Sequence, residues 1–286
     1  RASQLGMKVA CIEKRSTLGG TCLNVGCIPS KALLSFSEKY TEAKNSFADI
    51  GIKTNAQLDL KTMLAKKDKI VSDLCKGIDS LFVKNKITKI TGTGKIIDST
   101  TVEVSSGSKI EKIKAKNILI ATGSEVIDIE GVEVDEKSII SSTGALSLTE
   151  VPKELVIIGG GYIGLELGSV WNRLGSNVTV IEFADRIVPA LDHEIGKSFH
   201  QILEKQGFKF MLNTKVVTAE KQNKEVSVTV SGVGDNKESK LSCDVVLVSV
   251  GRKPNTQSIG AKEAGIILDN YNRIEINNKF QTNIPN

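Results

Sequence analysis

The spacing of apolar residues along this chain follows a pattern that occurs twice. Short apolar runs, typical of buried parallel strands, occupy Lys8–Lys14 and Asn177–Phe183, and each run includes an acidic residue near its end. Two later runs, Asn117–Gly123 and Asp244–Gly251, each end in glycine. Because the same strand pattern occurs twice, we expect two similar units, one after the other.

Helical spacing occurs in two places in the first half of the chain. One helix is predicted from about Pro29, and a long helix from about Leu60 to Phe82. The long helix has a one-sided apolar stripe, which predicts a buried core face rather than a functional surface. The stripe consists of Leu60, Met63, Leu64, Ile70, Val71, Leu74, Ile78, Leu81 and Phe82.

Strict alternation of apolar and polar residues marks a third kind of element. It is clearest at Thr101–Ser106 and at Glu225–Val233, and it predicts antiparallel hairpins inserted before the last strand of each unit. A boundary between the units is expected near Glu150. The predicted fold class is therefore α/β, with a parallel sheet and an antiparallel hairpin insertion in each unit.

Composition and charge exclude some classes of function. The chain has 286 residues, 40% of them hydrophobic, which is enough to bury a substantial core. Its formal net charge of +5 is spread along the sequence without a basic run, which disfavours a nucleic-acid surface. Apolar stretches are shorter than the roughly 20 residues that cross a bilayer. We therefore predict neither nucleic-acid nor membrane partners.

A glycine-rich turn follows the apolar strand Leu155–Ile158. The segment Gly159–Gly164 satisfies G-x-G-x-x-G and is followed by a predicted helix to Leu174, then by a strand with Glu182 about 20 residues beyond the glycines. In this context the first glycine permits the tight turn, and the second lets the backbone approach a pyrophosphate at the positive end of the helix. The alternative is a glycine turn without a ligand. The pattern predicts Rossmann-like dinucleotide-binding domains.

Glu182 bears on which dinucleotide binds. A carboxylate at this position can accept hydrogen bonds from the ribose hydroxyls, and it would repel the additional phosphate of NADP. The sequence therefore favours NAD.

The five cysteines are of two kinds. Cys11 lies in a predicted strand, Cys75 beside the stripe of the long helix and Cys243 next to another strand, so we interpret these three as inert core residues. Cys22 and Cys27 lie just before a helix start, where the positive end of the helix favours a thiolate and hence thiol–disulfide exchange. A zinc site would need two further ligands that nearby residues do not supply, and a structural disulfide is the other alternative. No metal site is predicted.

The segment containing this pair, GGTCLNVGCIPSKALL, resembles the redox-disulfide signature of the pyridine nucleotide–disulfide oxidoreductases, in the form used by members that act on dihydrolipoamide. The resemblance continues through NILIATGSEV, SSTGALSL, GGGYIGLELGSVW, QGFKF, VGRKPN and FQTNIPN, and so covers essentially the whole chain. It implies two Rossmann-like dinucleotide-binding domains, one for FAD and one for NAD.

The resemblance also implies limits for the domains. Residues 1–150 correspond to an FAD-binding domain without its first strand and glycine fingerprint, which we expect before Arg1. Residues 151–256 correspond to the NAD-binding domain, and 257–286 to a return segment towards the FAD and central domains. The resemblance further implies a C-terminal interface domain with a His-Glu acid–base pair, which we expect to be absent from residues 1–286. His193 and His200 are interpreted as structural, and the chain alone is expected to be inactive.

Site residues follow from the resemblance, position by position. The residues implied to be catalytic are Cys22, Cys27, Lys31 and Glu166. Those implied to contact FAD are Glu13, Gly20, Thr21, Lys31, Gly94, Thr122, Gly123 and Ser124. Those implied to lie at the NAD site or at the flavin beside it are Gly159, Gly161, Tyr162, Ile163, Gly164, Glu166, Glu182, Val217 and Gly251.

The activity implied is oxidation of protein-bound dihydrolipoamide with reduction of NAD+. Cys22 is the exchange thiol, Cys27 lies against the flavin, and Lys31 pairs with Glu166 in the interior, within about 4 Å. Tyr162 is predicted to cover the flavin where nicotinamide enters, the alternative being a tyrosine packed under its helix. Two alternatives remain. One is another disulfide reductase or a metal-ion reductase on the same scaffold, and the other is a catalytically silent fragment or assembly subunit.

Partners and location are also implied. They are a second copy of the chain through the missing C-terminal domain, and the lipoyl domains and core of 2-oxo acid dehydrogenase complexes, in which the protein would be the E3 component. The implied location is the mitochondrial matrix, with the bacterial cytoplasm as the alternative.

Overall fold

A computed structural model of the protein describes residues 1–234 and 237–286. The chain divides into two compact units. Unit 1 comprises Arg1–Asn24, Ser72–Glu125 and Arg252–Asn286, and unit 2 comprises Val25–Val71 and Val126–Gly251. The domain limits 1–150, 151–256 and 257–286 stay a prediction.

The two units contain both helices and strands. The α-helices of the described residues are α1 Gly20–Val25, α2 Cys27–Thr41, α3 Leu60–Lys84, α4 Ser142–Ala145, α5 Tyr162–Leu174 and α6 His193–Lys205. Their strands are β1 Ala10–Glu13, β2 Thr88–Thr91, β3 Thr93–Asp98, β4 Thr101–Ser106, β5 Lys109–Lys114, β6 Ser124–Val126, β7 Ile139–Ile140, β8 Glu154–Ile158, β9 Asn177–Ile181, β10 Lys209–Met211, β11 Thr214–Gln222, β12 Glu225–Gly232, β13 Glu238–Cys243, β14 Val245–Val248 and β15 Arg252–Pro254. A 3-10 turn, a π-helical turn and a second 3-10 turn lie at Ser3–Leu5, Glu42–Ser46 and Phe47–Ile50.

Unit 2 is built around a parallel sheet of five strands in the order β10-β9-β8-β14-β7. Successive residues of β8 point to opposite faces of the sheet, as the period of a strand requires. Leu155 and Ile157 belong to one apolar cluster with Trp171 of α5, and Val156 belongs to a second with Val228 of β12. Both faces of the sheet are therefore covered, one by helices and the other by the antiparallel sheet β11-β12-β13.

Unit 1 has less regular pairing. Strands β1 and β2 form a two-stranded parallel sheet, and β3, β4 and β5 form an antiparallel sheet. A small apolar cluster contains Ile96, Ile259, Ala261 and Ile266. Each unit thus combines parallel pairing with an antiparallel sheet, and the predicted α/β class with two Rossmann-like units is confirmed.

One predicted strand of unit 1 is wrong. Residues 117–123 form no strand among the described residues, because a strand requires a neighbour to complete its hydrogen bonds. The side chain of Leu119 is 91% exposed. Ile118, Leu119 and Ile120 all line an open cavity of about 530 Å³.

The bounds of two further elements differ from prediction. The first strand, predicted within Lys8–Lys14, spans only Ala10–Glu13, while the long helix ends at Lys84, two residues after its predicted end. The prediction that its apolar stripe is buried is wrong, because seven of the nine residues are only half-buried and Leu74 and Leu81 are exposed.

Lys67 is the buried residue of the long helix that the apolar pattern did not predict. Its ammonium group donates to the carbonyl oxygen of Leu146 at 2.8 Å and pairs with Asp68 at 2.9 Å. These partners compensate the charge of a lysine that is only 4% exposed.

None of the helices in the described part of the chain is both long enough and apolar enough to cross a membrane.

Candidate functional site

The glycine turn of unit 2 joins β8 to α5, and its glycines meet different requirements. Gly159 has φ +103°, and a Cβ there would lie 2.7 Å from the carbonyl oxygen of Ser249. A Cβ on Gly164 would lie 2.8 Å from the carbonyl oxygen of Gly159. A Cβ on Gly161 would meet nothing within 4 Å. The fold therefore requires glycine at 159 and 164, whereas at 161 the missing side chain leaves open space beside the turn.

That open space lies at the beginning of α5. Gly161 is the N-cap residue and offers no side-chain hydrogen bond. The first N–H groups of any helix have no acceptor within the helix, and the helix dipole adds positive potential there. These features fit the pyrophosphate of a dinucleotide, which binds through backbone N–H groups and requires close approach.

Glu182 lies beside the same turn. Its Oε2 accepts a hydrogen bond from the Gly160 N–H at 2.6 Å, and its Oε1 accepts one from the Ala184 N–H at 2.8 Å. The carboxylate is thus held just past the end of β9 and retains lone pairs for further donors. This arrangement fits the two hydroxyl groups of a ribose, so the residues of unit 2 suit a dinucleotide such as NAD.

Further residues predicted for this part of the site are all in unit 2. Tyr162 is 68% exposed, so it is not packed beneath its helix. Ile163 is half-buried beside the large core cluster. Val217 lies where the register between β11 and β12 shifts, which indicates a bulge, and Gly251 has φ +131°.

In unit 1, Glu13 occupies a position that corresponds to Glu182. It ends β1, as Glu182 follows β9, and its Oε1 accepts from the Arg15 N–H at 2.9 Å. Gly94 of β3 faces Ile12 of β1. A Cβ added to Gly94 would lie 3.4 Å from Cγ2 of Ile12. Gly20 and Thr21 begin α1, where both are half-buried.

Residues 122–124 of unit 1 are tied to residues 252–255. The Thr122 hydroxyl donates to the Asn255 carbonyl at 2.8 Å, and the Asn255 N–H donates to the Gly123 carbonyl at 3.0 Å. Arg252 donates to the Ser124 hydroxyl at 2.8 Å and also to its carbonyl oxygen. Sequence reasoning missed Arg252 and Asn255 as supports of this turn, although the segment GRKPN directly after a strand could have indicated them.

Cys22 and Cys27 are both exposed, each at a short distance from a helix start. Cys22 is the third residue of α1 in unit 1, and Cys27 is the first residue of α2 in unit 2. Gly26, the N-cap of α2, provides no side-chain cap, so a thiolate at Cys27 would lie near the positive end of that helix. The pairing of the two sulfur atoms stays a prediction.

The other three cysteines have different surroundings. Cys75 and Cys243 are buried, and Cys11 is half-buried. Burial raises the pKa of the Cys243 thiol to about 12, and burial is also the main cause of the raised pKa values of Cys75 and Cys11. The prediction that Cys75 and Cys243 lie in the core is confirmed, and at neutral pH these groups remain thiols.

Lys31 and Glu166 meet within unit 2. The shortest distance between the Lys31 ammonium and the Glu166 carboxylate is 2.5 Å, so the predicted separation of less than about 4 Å is confirmed. The prediction that the pair is buried is wrong, because the two side chains are 58% and 32% exposed. Sequence reasoning also missed Ser30, a buried residue whose hydroxyl donates to Glu166 Oε2 at 3.0 Å.

The same two helices are joined further along. Arg173 of α5 donates to the Leu34 carbonyl at 3.3 Å and lies 4.0 Å from the Glu38 carboxylate of α2. Because Glu166 and Arg173 are seven residues apart, they lie on one face of α5. The Lys31–Glu166 pair therefore belongs to a packed pair of helices and is not an isolated surface contact.

The two histidines lie on α6. His193 is its exposed first residue, and the ring of His200 contacts Phe210 edge-on with 4.3 Å between centroids. Among the described residues, no group of three or more His, Cys, Asp or Glu side chains could hold a metal ion.

Known proteins resemble the chain over its whole length. The sequence profile that matches residues 1–286 is described as pyridine nucleotide-disulphide oxidoreductase. The chain belongs to this family. Enzymes of the pyridine nucleotide-disulphide oxidoreductase family use FAD and NAD(H), which agrees with the fit of the glycine turn and Glu182 to a dinucleotide.

Individual relatives narrow the comparison within the family. The chain is 54% identical to Dihydrolipoyl dehydrogenase 1, mitochondrial, of Arabidopsis thaliana, over 100% of the chain and 57% of that protein. It is also 54% identical to Leghemoglobin reductase of Vigna unguiculata, over 99% of the chain and 55% of the relative. The chain thus spans a little more than half the length of these curated relatives.

A solved flavoprotein disulfide reductase has a similar fold. It is the Cu(II) complex of the HOCl-induced flavoprotein disulfide reductase RclA from Escherichia coli, which superimposes with a TM-score of 0.86 at 27% sequence identity. The match covers 99% of this chain and 60% of that protein.

Proposed function

We propose that the protein oxidises protein-bound dihydrolipoamide to lipoamide and reduces NAD+, using FAD and a disulfide between Cys22 and Cys27. The observation that carries this proposal is the 54% identity to a dihydrolipoyl dehydrogenase over the whole chain. The exposure of both cysteines supports it, because a substrate thiol must reach a sulfur atom of the pair.

The chemistry at the cysteines is thiol–disulfide exchange. A substrate thiolate bonds to the Cys22 sulfur and breaks the Cys22–Cys27 bond, so that Cys27 leaves as a thiolate. The second substrate thiolate then displaces Cys22, which closes the lipoamide ring and leaves two electrons on the cysteine pair. When bound, FAD and NAD+ supply the hydride transfer that removes these electrons. The general base for the substrate thiols is expected outside this chain.

The helix pair of unit 2 has a supporting part in this scheme. Cys27 begins α2, and Lys31 lies one turn later on the same helix, where Glu166 of α5 holds its ammonium group. We place Lys31 near the flavin, where its fixed positive charge favours reduction of the flavin. Ser30 restrains the carboxylate that holds Lys31.

The decisive experiment uses the full-length protein loaded with FAD and measures NADH formation from dihydrolipoamide. We expect Cys22→Ser and Cys27→Ser to abolish turnover, since neither variant can form the disulfide. Cys243→Ser is the matched control, because its thiol is buried in the core. Turnover by Cys22→Ser comparable with that of the unmodified protein would refute the proposal.

Tyr162 is proposed to cover the flavin where nicotinamide enters. Its exposed ring at the start of α5 is available for this role. Tyr162→Gly is expected to alter the KM for NADH and to leave the dithiol content of the reduced protein unchanged. Unaltered NADH kinetics would remove Tyr162 from the site.

The proposed setting is the E3 position of 2-oxo acid dehydrogenase complexes in the mitochondrial matrix, with the protein acting as a homodimer. Relatives whose names include mitochondrial support the location. Gel filtration of the full-length protein together with a lipoyl-domain substrate tests the assembly.

A second candidate is reduction of a metal ion or another acceptor with NADH. The observation that favours it is the similar fold of the Escherichia coli reductase solved as a Cu(II) complex. Parallel assays with dihydrolipoamide and with Cu(II) as substrates distinguish the two. A rate of Cu(II)-dependent NADH oxidation above the rate of NADH formation from dihydrolipoamide would favour the second.

A further inference from the structure

The side chain of Asn24, which lies between the two cysteines in the sequence, has hydrogen-bond partners for both its amide oxygen and its amide nitrogen. Its Oδ1 accepts from the Thr17 hydroxyl at 2.7 Å and from the Cys75 thiol at 3.5 Å. Its Nδ2 donates to the carbonyl oxygens of Leu18 at 3.1 Å and of Gly20 at 2.9 Å. An asparagine amide has two donor hydrogens and two acceptor lone pairs, so this amide has a single orientation.

The turn that Asn24 holds has little regular structure of its own. Gly19 and Gly20 have φ +110° and +60°, values in the left-handed region, and a Cβ on Gly19 would collide with the Leu23 side chain. Helix α1 has only six residues, far fewer than the roughly 12 that make an isolated helix stable in water. Its geometry must therefore come from side chains, namely buried Leu23 and the amide of Asn24.

The third member of this cluster is Cys75 of α3. Its buried thiol is 3.5 Å from both the Leu18 carbonyl and the Asn24 amide oxygen. Burial, followed by the neighbouring Asp79 carboxylate, raises the pKa of Cys75, while Lys89 lowers it. The group therefore stays a thiol and can act as a weak donor at neutral pH. Asn24 thereby connects the turn before α1 to the long helix within unit 1.

We infer that Asn24 is a positioning residue for Cys22, holding α1 so that the Cys22 sulfur is presented to a disulfide or thiol substrate. The inference rests on the proposed function, which makes Cys22 the exchange thiol. Cys22 lies on α1 two residues before Asn24 and is itself exposed, so its sulfur depends on the backbone of this short helix for its position.

The experiment uses the full-length, flavin-loaded protein in a Cys27→Ser background, so that Cys22 remains as the reactive thiol of the pair. The probe is oxidised lipoamide, and the rate of mixed-disulfide formation at Cys22 is followed by mass spectrometry. Because a displacement of about 1 Å can lower a reaction rate on the order of 100-fold, we expect Asn24→Ala to react about 10- to 100-fold more slowly. The variant should still fold and retain its flavin.

Three further variants separate positioning from general damage. Thr17→Val removes one donor to the amide and is expected to slow the reaction about fivefold, whereas Thr17→Ser keeps that donor and restores the rate. Asn172→Ala is the matched control, because Asn172 is also a half-buried asparagine that donates to a backbone carbonyl, that of Ser176 in unit 2. Its rate should equal that of the parent.

The inference is overturned if Asn24→Ala folds and its Cys22 reacts within twofold of the parent. If Asn24→Ala does not fold, the Thr17 variants decide, and equal rates for Thr17→Val and Thr17→Ser overturn it. The probe reaction needs neither NAD+ nor turnover of dihydrolipoamide. A protein that fails to oxidise dihydrolipoamide but shows the Asn24 effect would therefore refute the proposed function and retain this inference.

Discussion

The parallel sheets of the two units come from similar sequence patterns and differ in how fully they are paired. In unit 2, β8 is bonded on both sides, by β9 and by β14. In unit 1, β1 pairs with β2, and the apolar run at 117–123, whose pattern resembles that of β14, is not in a strand. An apolar pattern is thus not sufficient for a strand, because a neighbouring strand must also supply its hydrogen-bond partners.

The two units also differ in how they hold the acidic residue at the end of a parallel strand, which is Glu182 after β9 and Glu13 in β1. Glu182 of unit 2 accepts from the Gly160 N–H of the glycine turn, which holds it beside the helix start. For Glu13 of unit 1, the side-chain contact described is with the Arg15 N–H, two residues away. The two carboxylates therefore have similar positions in sequence and differ in their supports.

The largest effect is expected from the core of unit 2. Trp171 is fully buried, and its ring N–H donates to the Ala145 carbonyl at 3.1 Å. Trp171→Ala should lower the free energy of unfolding by about 3–5 kcal/mol, because it leaves a large cavity and removes the donor of a buried carbonyl. Urea denaturation followed by circular dichroism measures this loss. A loss below about 1 kcal/mol would contradict the packed sheet described for unit 2.

A smaller effect, on the affinity for NADH, is expected at Glu182, which we assign to the ribose. Glu182→Ala should weaken NADH binding about tenfold, which corresponds to about 1.4 kcal/mol, and should bring the affinities for NADH and NADPH closer together. Isothermal titration with both nucleotides measures the change. Glu13→Ala is the comparison variant, and it should lower flavin content while leaving NADH affinity unaltered. An unchanged NADH to NADPH ratio in Glu182→Ala would exclude Glu182 as the ribose ligand.

The helix pair of unit 2 should show a still smaller effect on stability. Since Lys31 is 58% exposed and Glu166 is 32% exposed, solvent screens their attraction. Glu166→Ala should lower the free energy of unfolding by about 1 kcal/mol. We also expect it to change the visible spectrum of the flavin on partial reduction. A loss of several kcal/mol would mean that the pair is buried in the full-length protein, and an unaltered spectrum would exclude a role near the flavin.

The smallest effect on the free energy of unfolding is expected in the run at 117–123 of unit 1, which is not paired in a strand. Leu119 is 91% exposed, so Leu119→Ala in the 286-residue chain should change the free energy of unfolding by less than about 0.5 kcal/mol. Thermal denaturation of the two proteins provides the measurement. If the variant is destabilised by 2 kcal/mol or more, the run at 117–123 is covered in solution and the contrast between the units is smaller than described.

Much of this fold could be predicted from the sequence. The run Leu155–Ile158, the glycine turn and Glu182 come together as expected, because their relation depends on contacts within about 30 residues of sequence. The helix at Leu60–Lys84 was also predicted closely, since periodicity over 25 residues is a strong signal.

What could not be predicted depends on distant neighbours. The burial of Lys67 requires the Leu146 carbonyl, 79 positions away, and the exposure of Lys31 follows from how α2 packs on α5. The link of Asn24 to Cys75 spans 51 positions. Sequence patterns indicate which face of an element is apolar, but not which polar groups find partners across the fold.

The glycine turn also has a consequence for laboratory evolution. A side chain at 159 or 164 would strike the backbone, so variants there are lost from any library screened for heat resistance. Alanine at 161 meets no neighbouring atom and would pass such a screen. The same alanine would occupy the space that we assign to the pyrophosphate, so it would be eliminated only when growth or survival depends on the cofactor. Tolerance at 161, compared with 159 and 164, would therefore reveal which selection a population had experienced.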